Sequence, residues 1–126
     1  LMKGLAAQGK IVIFGGDLNV TDEEDHQNSL FANTLETVSF VSHKIDCKDC
    51  EGSHFHRGHW SFLDILAIHK DNAKKGWELV PNSVQVVKTA EHTKPNGTPL
   101  RFNFEEQLGV SDHFPLYLRL RPHTEK

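Results

Sequence analysis

No apolar run in this sequence approaches the roughly 20 residues that cross a bilayer; the longest are the short stretches around Ile11–Phe14 and Leu63–Ile68. The chain therefore reads as soluble, and Leu1–Lys10 is too short and too weakly apolar for a signal peptide. Cysteine is scarce. Cys47 and Cys50 form a single Cys-x-x-Cys, too little for a disulfide framework and not enough to fix a compartment. A surplus of one charge is also missing, since 14 Lys+Arg stand against 17 Asp+Glu, a net −3. That balance excludes a strongly basic nucleic-acid coat and an acidic disordered tail, though not a nuclease with a local basic groove. Repeats, low-complexity tracts and linkers are absent, and 126 residues leave room for one domain.

Histidine is what the chain has in excess. It holds nine, and His54, His56 and His59 crowd one short stretch. Around them the pattern alternates between strand and turn. Lys10–Phe14, closed by Gly15-Gly16, reads as a buried strand. Thr21 three residues before Glu24 is a capping-box start, which predicts a helix to about Leu35. Thr37–His43 is β-prone, Lys44–Gly58 is a polar loop or irregular hairpin, and Trp60–His69 reads as one strand. Strict alternation there puts Asp64 on the face of Trp60, Phe62, Leu66 and Ile68, and an acid on an apolar face needs a partner. Val84–Val87 and the one-sided Phe114–Leu120 complete the strands, with turn chemistry at Lys94–Pro99. Trp60 and Trp77 are expected in the core, and Lys74-Lys75 in a solvated turn.

Three short patterns place polar residues at strand ends: Gly16-Asp17-Leu18-Asn19, Trp60-Ser-Phe-Leu-Asp64 and Ser111-Asp112-His113-Phe-Pro115. Each alone is an ordinary turn signal. In this order and spacing they resemble the endonuclease/exonuclease/phosphatase superfamily, the deoxyribonuclease-I-like fold. The resemblance runs from about Ile11 to Leu120 and implies an α+β chain. Residues 1–126 would then be the C-terminal half of a four-layer α/β/β/α sandwich, two packed mixed sheets with outer helices. It also implies that the N-terminal half, which supplies a metal-binding Glu in that family, is not in this stretch. On that expectation the 126 residues alone would be inactive or nearly so, and an uncovered sheet face would favour self-association.

The residue types suit such chemistry in their own right. Mg²⁺ or Mn²⁺ takes oxygen ligands, and one or two carboxylates plus substrate phosphate suffice; Asp17 and Asp112 are the expected metal ligands. Asn19 can align a water, and His113 can donate to a phosphate oxygen or accept a proton. Asp64 would hold the His113 ring in tautomer and orientation, which predicts a hydrogen bond between them. The division of base and orienter between histidine and aspartate stays open.

Cys47, Cys50, His54, His56 and His59 offer ligands for Zn²⁺, but the spacing is unlike a zinc finger. A redox-labile disulfide and an ordinary packed loop are the alternatives, and His54 and His56 could instead reach the substrate. The expected function is divalent-metal-dependent hydrolysis of a phosphoester or phosphodiester, with nucleic acid, inositol phosphate or a phospholipid head group as substrate. The alternative is a non-catalytic zinc- or partner-binding module that keeps relic motifs.

Overall fold

β5 (Asp64–His69) is the central strand of the main sheet, and the computed structural model describes residues 1–45, 47 and 50–123 around it. β1 (Ile13–Asp17) pairs with one edge of β5 and β2 (Ser39–Val41) with the other, both antiparallel. Alternation along β5 sends Ile65 and Ala67 to one face, where they bury with Val41 and Phe31. Met2, Leu18, Val20 and Leu35 pack against this cluster. Each large apolar side chain fully buried there contributes about 1.5–3 kcal/mol relative to exposure. Met2 reaches it from α1 (Met2–Ala7).

The helical segment opens as its sequence requires. Thr21 Oγ1 accepts the Glu24 amide, and the Glu24 carboxylate accepts the Thr21 amide. Where one helix to Leu35 was expected, α2 (Asp22–Asn28) stops at Ser29, which takes the left-handed conformation, and α3 (Leu30–Asn33) begins. Asp25 explains the break. Its buried carboxylate accepts the Phe31 amide at 2.6 Å, capping the second helix, and pairs with the Lys44 ammonium.

Three smaller antiparallel ladders complete the chain. β3 (His54–His56) and β4 (His59–Ser61) form a hairpin; β6 (Trp77–Leu79) pairs with β9 (Leu120–Pro122), and β7 (Gln85–Val86) with β8 (Leu116–Tyr117). α4 (Ser42–Ile45) and 3-10 turns at Leu35–Thr37, Lys70–Lys75 and Ala90–His92 join them. The chain is thus α+β, and every ladder among the described residues is antiparallel where mixed sheets were expected.

Several strands differ from expectation for identifiable reasons. β1 is shifted to Ile13–Asp17 and exposed along its length instead of buried, because it is an edge strand with no partner on its outer side. At Gly15 a Cβ would stand 2.8 Å from Leu66 Cδ2, the end of a flexible side chain that can turn aside. Trp60–His69 divides into β4 and β5 at Phe62-Leu63, both buried, where the chain passes from the hairpin to the main sheet. Phe114–Leu120 likewise divides into β8 and β9. β2 ends early because Ser42, fully buried, turns its hydroxyl to accept the Leu66 amide. Trp77 is 39% exposed, not core. Lys75 is tied to the carbonyls of Ala6 and Lys10 instead of lying in solvent.

Burial pushes the Asp25 carboxyl up, but Lys44 and the Phe31 amide outweigh it and hold the group below the usual carboxylate range. A lowered folded-state pKa stabilises above the unfolded value of about 3.9 and stops doing so as pH falls through the folded value. Asp25→Asn should therefore cost about 1–3 kcal/mol at neutral pH. Denaturant melts should show that gap narrowing below about pH 4; a gap unchanged in acid contradicts the ion-pair assignment.

Candidate active site

The register of β1 on β5 sets Asp17 directly opposite Asp64. Cross-strand neighbours share a face, so two carboxylates meet where like charges repel. The local sequence enforces this. Leu18 donates its amide to the Leu63 carbonyl at 2.8 Å and packs against the core cluster, which turns the residues on either side of it outward. Asp17 Oδ1 accepts the Asn19 amide at 2.8 Å, and Asn19 sits at φ 51°, the left-handed conformation that asparagine tolerates. Asp17 and Asn19 are both exposed.

His113 meets the pair from the other end of the chain. Its Nδ1 lies 2.7 Å from Asp64 Oδ2, both side chains half-buried. The carboxylate accepts, so Nδ1 carries the proton and Nε2 is left for other work. Ser111 Oγ accepts the His113 amide at 3.0 Å, and the next residue, Phe114, is a 1%-exposed anchor.

Ser53, not singled out from the sequence, joins these parts. It is fully buried; its carbonyl accepts the Phe114 amide at 2.7 Å, its hydroxyl accepts the Asp64 amide at 3.2 Å, and its own amide donates to Ser61. Gly52 makes the approach possible, because a Cβ there would stand 2.8 Å from the Ser61 backbone nitrogen and oxygen. A Gly-Ser step directly before a hairpin was the available signal.

Ligand atoms of Asp17, Asp64 and His113 lie within 4.8 Å of one another, a geometry that could hold a metal ion. Asp112 does not join them. It stands at a bend, beside the turn in which Ser111 Oγ accepts the His113 amide, and is exposed, 4.0 Å from Arg101 Nε. Of the expected ligand pair Asp17 and Asp112, Asp17 alone belongs to the Asp17/Asp64/His113 cluster.

The zinc reading of the Cys-His loop is corrected too. Cys47 and Cys50 are joined in a disulfide, which leaves no thiolate for an ion. His54 and His56 lie along β3 and His59 on β4, without converging on one point. Asp46, Lys48 and Asp49 of the expected Lys44–Gly58 loop lie outside the described residues. The His54 ring stands against His113, centroids 4.5 Å apart; burial, then the nearby His113, lowers the His54 pKa.

No known family model, curated protein or solved structure matches the chain. The α+β fold and the Asp/Asp/His cluster are therefore what define it. No helix among the described residues is long and apolar enough to cross a membrane.

The Gly52 contact gives a controlled stability test. Gly52→Ala should cost about 1–3 kcal/mol through backbone displacement. Gly16→Ala, where a Cβ meets nothing within 4 Å, should be near neutral. Thermal melts of the two variants check this, and equal losses would show that Gly52 is not a point of close approach.

Proposed function

We propose that this chain carries the hydrolytic site of a divalent-metal-dependent phosphoesterase. The observation that carries the reading is the convergence of Asp17, Asp64 and His113, three residues from separate motifs, within one small volume. The donor set fits a hard cation. One oxygen of each carboxylate has its protein partner, Asp17 Oδ1 with Asn19 and Asp64 Oδ2 with His113, and the second oxygen of each remains as a ligand for Mg²⁺ or Mn²⁺. Such an ion, when bound, neutralises charge developing on phosphate and acidifies water.

The protein groups do the rest. Asp64 fixes the tautomer of His113 with the proton on Nδ1, so that Nε2 takes a proton from water, and the ring donates from Nε2 to a phosphate oxygen once it is protonated. Asn19, beside Asp17, has both a donor and an acceptor in its amide to orient the attacking water. Attack is by water, with no covalent intermediate. Asp112, 4.0 Å from Arg101 Nε, stands outside the cluster. The substrate class is a phosphate ester of nucleic acid, polyol or lipid head group. The rival reading as a zinc-holding module has lost its cysteine ligands to the disulfide.

The same reading includes the larger architecture. Ile13 and Phe40 flank Ile68 across β1, β5 and β2, on the face opposite Val41 and Ala67, and they are 48% and 43% exposed. Ile68 between them is buried, and the exposed margins of this face are where the second sheet of a four-layer α/β/β/α sandwich would add cover.

Full-length protein assayed with Mg²⁺ and Mn²⁺ on a generic phosphodiester tests the function. Asp64→Asn should lower kcat by about two orders of magnitude or more and change KM far less. Unchanged kcat in that variant, or no metal-dependent hydrolysis by the wild type, would overturn the proposal.

A further inference from the structure

The β3–β4 hairpin has two unlike faces. Phe55 and Trp60 are cross-strand partners with rings 5.1 Å apart, and Trp60 lies 6.1 Å from the buried Phe114, so this face is the inner one. The opposite face carries His54, His56 and His59, with His56 directly across from His59, and the turn is Arg57-Gly58. No carboxylate interrupts residues 54–61, in a chain that holds 17 Asp+Glu. Carboxylates reach this face from neighbouring segments, Asp112 and Asp64 beside His54.

These rings are arranged in a row that starts at the site. His113, held by Asp64, is followed by His54 with ring centroids 4.5 Å apart, and His54 by His56 at 6.0 Å. The Ser53 carbonyl fixes the start of that row by accepting the Phe114 amide, and His54 bridges His113 in antiparallel fashion. The outer rings do not gather around a point; among the described residues only Asp17, Asp64 and His113 do. Spread rings suit an extended anion better than one cation. A neutral imidazole keeps an N–H donor, and hydrogen bonds to a charged phosphate oxygen are of the stronger kind. Arg57 adds a permanent cation beside them.

We propose that the His54/His56 face of the hairpin binds a second phosphate group of the substrate, adjacent to the one attacked at Asp17, Asp64 and His113. The inference rests on the phosphoesterase reading and deepens it: the preferred substrate carries neighbouring phosphates, not an isolated ester. A nucleotide chain and a polyphosphorylated polyol share that chemistry. Binding is direct, from imidazole N–H to phosphate oxygen, and needs no metal at the outer position.

The test follows the ring C–H NMR signals of full-length protein, wild type and His56→Gln, during titration with pyrophosphate and with inorganic phosphate. His56 is exposed, and the change leaves the Phe55–Trp60 contact in place. Pyrophosphate should move the His54 and His56 signals and bind about tenfold more tightly than inorganic phosphate, an advantage that His56→Gln removes. Shifts confined to His113, or shared equally by the surface residues His26 and His123, would overturn the subsite. Displacement of pyrophosphate by a short oligothymidylate or by inositol hexakisphosphate supports it and identifies the source of the second phosphate; displacement by neither overturns it. These readouts are of binding, so they judge the subsite separately. Failure of wild-type protein to hydrolyse any diester would count against the phosphoesterase reading alone.

Discussion

One buried serine sets the geometry on which the site depends. Ser53 is hydrogen-bonded at three places: to the return strand of its own hairpin at Ser61, to the first residue of β5 at Asp64 and, far along the chain, to the anchor Phe114. Ser53 itself is fully buried, and leaving one of its polar groups unpaired there would cost about 1–3 kcal/mol. The three segments therefore come together or not at all. Asp64 and His113 are brought to 2.7 Å by this joint and by the Phe114 anchor. The pair is positioned by its backbone and not by its own attraction.

The second constraint is the register of β1. A slip by one residue would carry Asp17 to the other face and bury it among Phe31, Val41 and Ala67. Leu18 prevents the slip by packing against that same cluster while its amide continues the ladder to Leu63. Two like charges held opposite each other by an apolar neighbour make an arrangement that folding alone does not favour. A cation between them relieves the repulsion, so the structural cost and the proposed chemistry have one explanation.

Much of this was legible in the sequence because the signals were local. The capping box at Thr21 and Glu24, the Asx turn at Asp17-Leu18-Asn19 and the need of Asp64 for a histidine each follow from side-chain chemistry a few residues wide or from one misplaced charge. What stayed hidden was set by tertiary contacts. The break after Asn28 depends on Asp25 turning its carboxylate to Phe31, and the division of Trp60–His69 on burying Phe62 and Leu63 together. Asp112 looked like a ligand because it stands beside His113; the bend at Asp112 lies outside the cluster that His113 joins. Cys47 and Cys50 offered zinc, a disulfide or an ordinary packed loop, and the spacing alone had no means to choose between them.

The central claim is that Asp64 and His113 act as one unit on a phosphate ester. A double-mutant cycle of Asp64→Asn, His113→Gln and the combined variant, read as kcat for a generic phosphodiester in full-length protein with Mg²⁺, tests it most directly. If the two act as a unit, the double variant should lose little more than the worse single one. Losses that multiply, as for independent residues, would contradict the account.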